Sequence, residues 1–388
     1  MAQRHQYNFA QSYLGLEGNY LSGINADGDF TAARLVIGGT HFWYRADFYI
    51  SFPLHTAALS DGSMQYSEGV ITGGRFLPFG PGKGLPHPFV GVAWATPRLR
   101  QGDGSELQRS RLALDAGLSV VVAGKYTLEA SLRYMHRAAA MYPVGREENA
   151  MLRPPGYTFT LVAKRYFDFT AGNASPQGQA WLKAADAYYT EHGGLSTWFA
   201  GLGPSANVVL RPFAFAEALP FLPAKPAIVT GPDVSLGYHF HRADVAIAAS
   251  YRSYGIGQEG HGYRWQLGEQ RIGLEVFKFL FDYNGFMPFI GLSLGTAHQR
   301  FEARDSEASG EHGTVGESAW SPAFGLVFGW DIRPSASDWF YLRTNLRLFW
   351  TGGSGVQAFD LRNRHLEVNF IQMVIYPERI AKLKHIHP

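Results

Sequence analysis

The sequence predicts an all-β fold: a single closed, antiparallel, up-and-down transmembrane β-barrel of about sixteen strands, with fourteen as the alternative. Three observations carry that expectation. The first is composition: 15% of the 388 residues are aromatic and 45 are Gly, with no Cys. The second is a hydrophobic period of two, sustained over runs of 10 to 15 residues. An ordinary strand has about 5–6 residues, whereas crossing hydrocarbon at the usual tilt takes about 9–11. The third is the lack of any run of about 18 apolar residues, so that only strands could span a bilayer.

Composition also narrows function. Lys+Arg of 34 against Asp+Glu of 32 gives a formal charge of +2, too balanced for a nucleic-acid binder, and no nucleic-acid partner is expected. The missing cysteines remove disulfides, iron–sulfur clusters, thiolate zinc sites and cysteine nucleophiles. The opening MAQRHQYNFAQ has no apolar core of an export signal, so an exported chain is expected here in mature form.

The alternation can be followed strand by strand. Arg109 to Val122 sets Leu112, Leu114, Ala116, Leu118, Val120 and Val122 against Arg109, Arg111, Asp115, Gly117 and Ser119. Leu128 to Arg137 opposes Leu128, Ala130, Leu132 and Tyr134 to Glu129, Ser131, Arg133 and Arg137. Phe286 to Ala297, Phe324 to Arg333 and Phe340 to Trp350 repeat the pattern, which would be incoherent on a helix. Apolar faces tend to end in aromatics (Tyr44 and Phe52, Tyr238 and Phe240, Phe340 and Trp350, Tyr376), as expected where strands cross two lipid–water interfaces. In hydrocarbon every backbone polar group must be paired, so such a sheet has to close.

Connections alternate in length. Short ones fall at Ala123–Gly124, His241 to Ala243, Asp282 to Gly285 and Pro334 to Asp338. Long polar ones fall at Ser22 to Asp29, His55 to Gln65, Arg98 to Leu107, Ala140 to Pro155, Gly255 to Arg264, Ala303 to Glu317 and Thr351 to Arg362. Together with the late aromatic strand HLEVNFIQMVIY, this pattern resembles bacterial outer-membrane β-barrel proteins as a class, over nearly the whole chain. The resemblance implies short periplasmic turns, long extracellular loops, both termini periplasmic and a multi-pass location in the bacterial outer membrane. One departure is the tail PERIAKLKHIHP after Tyr376, since many such barrels end in an aromatic residue of the last strand.

Sixteen segments fit that parity: 7–21, 30–39, 42–53, 66–78, 88–98, 107–121, 125–139, 156–170, 195–211, 230–240, 244–254, 265–281, 286–302, 318–333, 339–350 and 363–376. Merging 30–53 into one strand and deleting the poorly alternating 195–211 gives fourteen. The chain is thus expected to be one barrel domain over 1–388, with an irregular insertion at about 171–229 and a periplasmic tail at 377–388. Within the insertion, Gln177 to His192 can form a short helix closed by Gly193–Gly194, while Pro212, Pro220, Pro223 and Pro226 exclude regular pairing.

If the apolar faces meet lipid, the opposite faces supply lumen-lining candidates. The cations are Arg45, Arg109, Arg111, Arg133, Arg137, Lys164, Arg252, Arg333, Arg343 and Arg347. The carboxylates are Glu17, Asp47, Asp115, Glu129, Asp168, Asp244, Glu275, Asp331 and Glu367. Near balance points to cross-strand ion pairs rather than to a selective ring of one sign. Catalytic machinery is not legible: Ser119, Ser131 and Ser293 face inward without an assignable His/Asp partner, and GPGKG lacks the ending and helix of a phosphate loop. His239 and His241 share a face and are weak metal candidates without a third ligand; His385 and His387 lie in the tail. No cofactor and no enzymatic activity are expected. The functional expectation is a pore or transporter for small solutes or a hydrophobic ligand. The alternative is a non-conducting structural or accessory subunit of a larger outer-membrane complex. Expected partners are outer-membrane lipids, lipopolysaccharide and other outer-membrane or periplasmic subunits.

Overall fold

The computed structural model describes residues 10–21, 30–56, 59–60, 64–79, 85–101, 106–108, 111–122, 126–135, 140–143, 149–152, 156–167, 184–185, 187–189, 191–210, 219, 222, 228–283, 285–306, 314–333, 338–352 and 363–386. The first half holds β1 (Ala10–Leu21), β2 (Phe30–His41), β3 (Ala46–Thr56), β4 (Leu59–Ser60), β5 (Met64–Glu68), β6 (Ile71–Phe76), β7 (His87–Ala95), β8 (Pro97–Gln101), β9 (Glu106–Gln108), β10 (Arg111–Val122), β11 (Tyr126–Met135), β12 (Ala140–Pro143), β13 (Asn149–Leu152) and β14 (Tyr157–Phe167). The second half holds β15 (Thr197–Val209), β16 (Ile228–Phe240), β17 (Val245–Gly260), β18 (Tyr263–Phe279), β19 (Phe286–Asp305), β20 (Thr314–Ile332), β21 (Phe340–Thr351), β22 (Asn363–Ile375) and a C-terminal helix α1 (Pro377–Ile386).

These strands do not form one ring. Sixteen of them close as two separate antiparallel barrels of eight strands, in the orders β1-β14-β11-β10-β7-β6-β3-β2 and β15 through β22, while β12-β13 and β4-β5-β8-β9 form small sheets outside the rings. The expected single barrel is corrected by two long-range pairings. β1 lies against β14, from Ser12↔Phe167 to Tyr20↔Phe159, which closes the first sheet before the second begins. β15 lies against β22, from Ala200↔Ile375 to Val209↔His365. Alternation fixes which face of a strand is apolar, but it says nothing about which distant strand supplies the closing hydrogen bonds. The fourteen-strand alternative fails as well: 30–53 is two strands separated by a turn, and the poorly alternating 195–211 is the first strand of the second barrel. Its irregularity has a cause, a register shift against β22 between Leu202 and Ala206.

Inside-out polarity follows the pleat. On β14, Phe159 and Leu161 point out at 44% and 53% exposure, while Thr158, Thr160, Val162 and Lys164 between them are buried. Exposed aromatics mark both rims of the second barrel: Trp198, Phe240 and Phe281 at the turn end, Trp320 and Phe324 at the loop end. Tyr44 and Tyr376, expected in the lipid-facing rims, are instead 2% and 0% exposed. They plug the turn ends from within.

An eight-stranded ring has an interior just wide enough for side chains. Several large inward rings therefore lie against a neighbour with no side chain. Tyr49 sits opposite Gly73, and Phe349 opposite Gly325, in direct cross-strand register. A Cβ on Gly73 would lie 2.8 Å from the Tyr49 ring, and one on Gly325 would lie 2.6 Å from the Phe349 ring.

Strands β17 to β20 run for 16, 17, 20 and 19 residues, beyond what a bilayer needs. Their polarity inverts along the way. On β19 the outward residues are Ile290, Leu292 and Leu294 near the turn end, then Arg300, Glu302 and Arg304 toward the loop end. The inward ones change from Ser293 to the fully buried Phe301. The apolar belt thus ends between Leu294 and Arg300. Past it stands a water-facing extension with its own apolar inner face of Tyr254, Ile256, Trp265, Leu267 and Phe301. In the first barrel a separate four-stranded sheet, β4-β5-β8-β9, rises from the same end.

The barrels meet side by side. The β2–β3 turn places three consecutive non-glycine residues, Phe42, Trp43 and Tyr44, at positive φ (53°, 56° and 71°), and Arg45 N–H donates to His41 O at 3.0 Å. From this turn Phe42 reaches Phe286 (5.3 Å between ring centres), Trp43 reaches Tyr283 (6.1 Å) and His41 reaches Trp330 (5.9 Å). At the loop end Trp94 of the first barrel packs against Ala206 and Val208 of the second.

Two outcomes follow. Because each ring closes on itself, severing the chain within residues 168–183 should leave the first half able to fold alone in detergent. Its β-sheet circular dichroism and heat-modifiable gel mobility check this. Gly73→Val should lower stability by about 1–3 kcal/mol through overpacking, whereas outward Gly18, with nothing within 4 Å of its Cβ position, should tolerate Val within about 0.5 kcal/mol; denaturant midpoints compare them.

Candidate functional site

Among the described residues, the two lumens collect nearly all the buried charge. In the first barrel the ions form a chain of alternating sign. Glu68 lies 3.6 Å from Arg34, and Arg34 lies 3.6 Å from Glu17. Glu17 continues to Arg133 (3.7 Å), Arg133 to Asp115 (3.0 Å), and Asp115 to Arg75 (3.2 Å). Arg75 then meets Glu129 at 2.6 Å, and Lys164 bridges Glu129 and Asp47 at 2.7 Å each. All nine groups are buried. Tyrosine hydroxyls complete the set: Tyr13 donates to Asp47 (2.7 Å) and Tyr49 to Asp115 (2.9 Å). At the turn end Tyr44 shares hydrogen bonds with Ser119 (3.1 Å) and Thr127 (3.2 Å); burial raises its phenol above the usual range.

The second barrel packs its ions in two clusters. Arg252 and Arg347 each touch the same three carboxylates: Asp233 (3.3 and 3.0 Å), Glu275 (2.5 and 3.1 Å) and Glu367 (both 2.9 Å). Arg271 adds Glu269 and His365 toward the loop end. Nearer the turns, Asp331 holds both Arg343 (2.6 Å) and Arg333 (2.7 Å). The surplus positive charge there lies over ring faces, Arg343 above Phe199, Phe277 and Phe289, and Arg333 above Phe279 and Tyr341. Helix α1 closes this end. Arg379 stacks on Tyr376 at 3.9 Å and donates to Asp338 O (2.8 Å) and Leu195 O (2.9 Å), while Thr197 donates to Glu378 (2.5 Å). The sequence offered no role for that tail.

Thirteen of the residues named from sequence occupy these interiors: Glu17, Asp47, Asp115, Glu129, Arg133, Lys164, Arg252, Glu275, Asp331, Arg333, Arg343, Arg347 and Glu367. They are divided between two lumens rather than gathered in one. Arg111 is half-buried at the start of β10. Arg45 and Asp244 lie elsewhere, in exposed turns: Arg45 donates to Pro78 O at 3.0 Å, and Asp244 adopts φ 48°. A turn residue escapes the pleat, so parity misassigned both. Arg109, Arg137 and Asp168 lie outside the described residues. Sequence reasoning missed Arg34, Glu68, Arg75, Asp233, Glu269 and Arg271. Parity was the available signal: Arg34 shares its face with Val36 and Gly38, and Asp233 shares its face with Ser235 and His239.

His239 and His241 lie 6.0 Å apart between ring centres, but His239 is surrounded by Phe279 and Tyr376. Partial burial holds the His241 imidazole below its ordinary pKa, against the pull of Asp244 and with help from Arg379 and Arg333. Among the described residues no three His, Asp or Glu side chains converge on a metal position.

No family model matches the chain, and neither does any curated protein. Solved structures do. Neisserial surface protein A matches with 13% identity and a TM-score of 0.32, over 46% of this chain and 96% of its own. The attachment invasion locus protein Ail of Yersinia pestis matches with 13% identity and a TM-score of 0.31, over 47% and 97%. The N-terminal β-barrel domain of Pseudomonas aeruginosa OprF matches with 13% identity and a TM-score of 0.25, over 46% and 99%. The chain itself forms two closed antiparallel β-barrels with exposed apolar outer belts and charged interiors.

Arg347→Ala would leave three buried carboxylates sharing Arg252. Breaking a buried pair from one side costs about 3–5 kcal/mol, so the denaturant midpoint of this variant should fall by that equivalent, while Arg300→Ala on the exposed face of β19 should change it little.

Proposed function

We propose that this chain is a non-conducting, non-catalytic outer-membrane protein, a double barrel that anchors and displays its loop-end sheets as a structural or accessory subunit. The observation that carries the reading is the ion chemistry of the lumens. Each bore is occupied from side to side by paired, buried Arg, Lys, Asp and Glu, so a solute would have to break several buried ion pairs in series to pass. Each broken pair costs kilocalories, because the freed charges are stranded in a low-dielectric interior. Transport, the first expectation from sequence, needs a water path that these side chains fill.

Orientation belongs to the same reading. The short turns and both termini face the periplasm, and the long ends of β17 to β20, with the β4-β5-β8-β9 sheet, stand outside. Partners would be outer-membrane lipids, lipopolysaccharide and proteins that dock on those extensions or on α1.

Reconstitution in planar lipid bilayers tests the proposal. The full chain should insert, as judged by protease protection in parallel vesicles, and give no unitary conductance steps. Reproducible steps whose size changes in Arg75→Ala or Arg347→Ala would overturn it in favour of a pore.

A further inference from the structure

We propose that the lumen of the first barrel binds one monovalent alkali cation, held between β1, β14 and β11 by an all-oxygen set of Glu17, Asn19, Ser131, Thr158 and Thr160. The site needs only the folded ring, so it depends neither on whether the protein conducts nor on which way it faces.

The five side chains form one patch of the inner wall. Asn19 stands directly across from Thr160, and Thr160 directly across from Ser131. Side chains paired in this way lie about 4.5–5.5 Å apart at Cβ. Glu17 is the neighbouring inward position on β1, and Thr158 the neighbouring inward position on β14. All five are buried. Yet Glu17 Oε1 and Oε2, Asn19 Oδ1 and the hydroxyls of Ser131, Thr158 and Thr160 have no hydrogen-bond partner among the described residues. Buried polar oxygens left in this way cost free energy unless a ligand completes them.

The surroundings explain why Glu17 is left over. Arg34 donates through Nε to Ser51 Oγ (2.7 Å) and through Nη2 to Ser51 O (2.9 Å) and Gly69 O (2.6 Å). Arg133 donates through Nε to Asp115 (3.0 Å) and through Nη2 to Tyr49 Oη (3.4 Å). Both approach Glu17 on its Oε1 side and stop at 3.6 and 3.7 Å, beyond hydrogen-bond length. Oε2 remains for another cation. Asn19 turns its amide N–H toward Glu68 at 3.2 Å, which leaves its carbonyl oxygen as an acceptor.

Charge selects a cation over a neutral donor. Five carboxylates face four cationic side chains among the described buried residues of this lumen. Asp47, Glu68, Asp115 and Glu129 each accept a hydrogen bond, whereas Glu17 accepts none. One unit of positive charge beside Glu17 balances the set, and a divalent ion would overshoot it. Carboxylate, amide and hydroxyl oxygens are hard donors, suited to a hard cation rather than to a transition metal.

Urea unfolding of the full chain in detergent, compared in different salts, tests this. Replacing choline chloride by sodium or potassium chloride at equal ionic strength should raise the folded-to-unfolded ratio of the wild type about tenfold, as a ligand at about ten times its Kd does. Glu17→Gln should abolish that increment. Thr160→Val and Ser131→Ala, which leave every ion pair in place, should each cut it to about twofold or less. Ser293→Ala, in the lumen of the second barrel, should keep it whole. Heat-modifiable mobility confirms that each variant folds before unfolding is measured. Equal stability of the wild type in choline and alkali chlorides would overturn the proposal, because water alone would then complete these oxygens. A full increment in both Thr160→Val and Ser131→Ala would overturn it by placing the ion elsewhere. A calcium-specific increment that these variants remove, in place of the alkali one, would overturn the single-charge argument.

Discussion

Closing a sheet after eight strands rather than sixteen leaves an interior just wide enough for side chains, and the rest of the molecule is arranged around that narrowness. Inward positions must be filled, yet the outward positions of the same strands are apolar and exposed. The interior is therefore built from whatever the pleat leaves. That residue is largely polar, and polar groups removed from water must satisfy one another. The aromatic–glycine pairs, such as Tyr49 over Gly73 and Phe349 over Gly325, are the steric side of this constraint. The ion networks are its electrostatic side.

The two lumens solve the electrostatic problem differently. In the first, Glu17, Asp47, Glu68, Asp115 and Glu129 outnumber Arg34, Arg75, Arg133 and Lys164 by one among the described buried residues. Tyr13 and Tyr49 supply the missing donors as neutral hydroxyls. In the second, five carboxylates (Asp233, Glu269, Glu275, Asp331, Glu367) meet five arginines (Arg252, Arg271, Arg333, Arg343, Arg347), but unevenly in space. The turn-end cluster has two arginines for one aspartate and lays the extra charge on aromatic faces. Arg379 then joins from outside the sheet, on the helix that seals the end.

Strand character and inward parity were legible in the sequence because they depend on local alternation. Leu128 to Arg137 reads the same way on paper and in β11, with Glu129 and Arg133 turned inward. Closure was not legible, because it rests on pairings such as Ser12↔Phe167 that alternation cannot encode. The near balance of the candidate charges did hint at a filled interior, and a filled interior favours small rings. Positions where the pleat breaks misled in a consistent way. Arg45 and Asp244 were given a face by parity although each sits in a turn, and Tyr44 and Tyr376 were given to lipid although the chain bends each back inside. The polarity inversion of β17 to β20 was visible residue by residue in the order Leu294, His298, Arg300, Glu302. Its meaning depends on knowing that a single strand continues through it.

The β2–β3 turn links the stability of the two rings. Left-handed backbone costs an L-residue about 1–2 kcal/mol, and Phe42, Trp43 and Tyr44 adopt it in succession. Tyr44 recovers its share inside the first ring, but the contacts of Phe42 and Trp43 with Phe286 and Tyr283 exist only once the second ring is in place. The turn is therefore a thermodynamic linkage element. The first ring reaches its full stability as the C-terminal half finishes folding, and damage to either ring is felt by the other as strain returned to three residues of one loop.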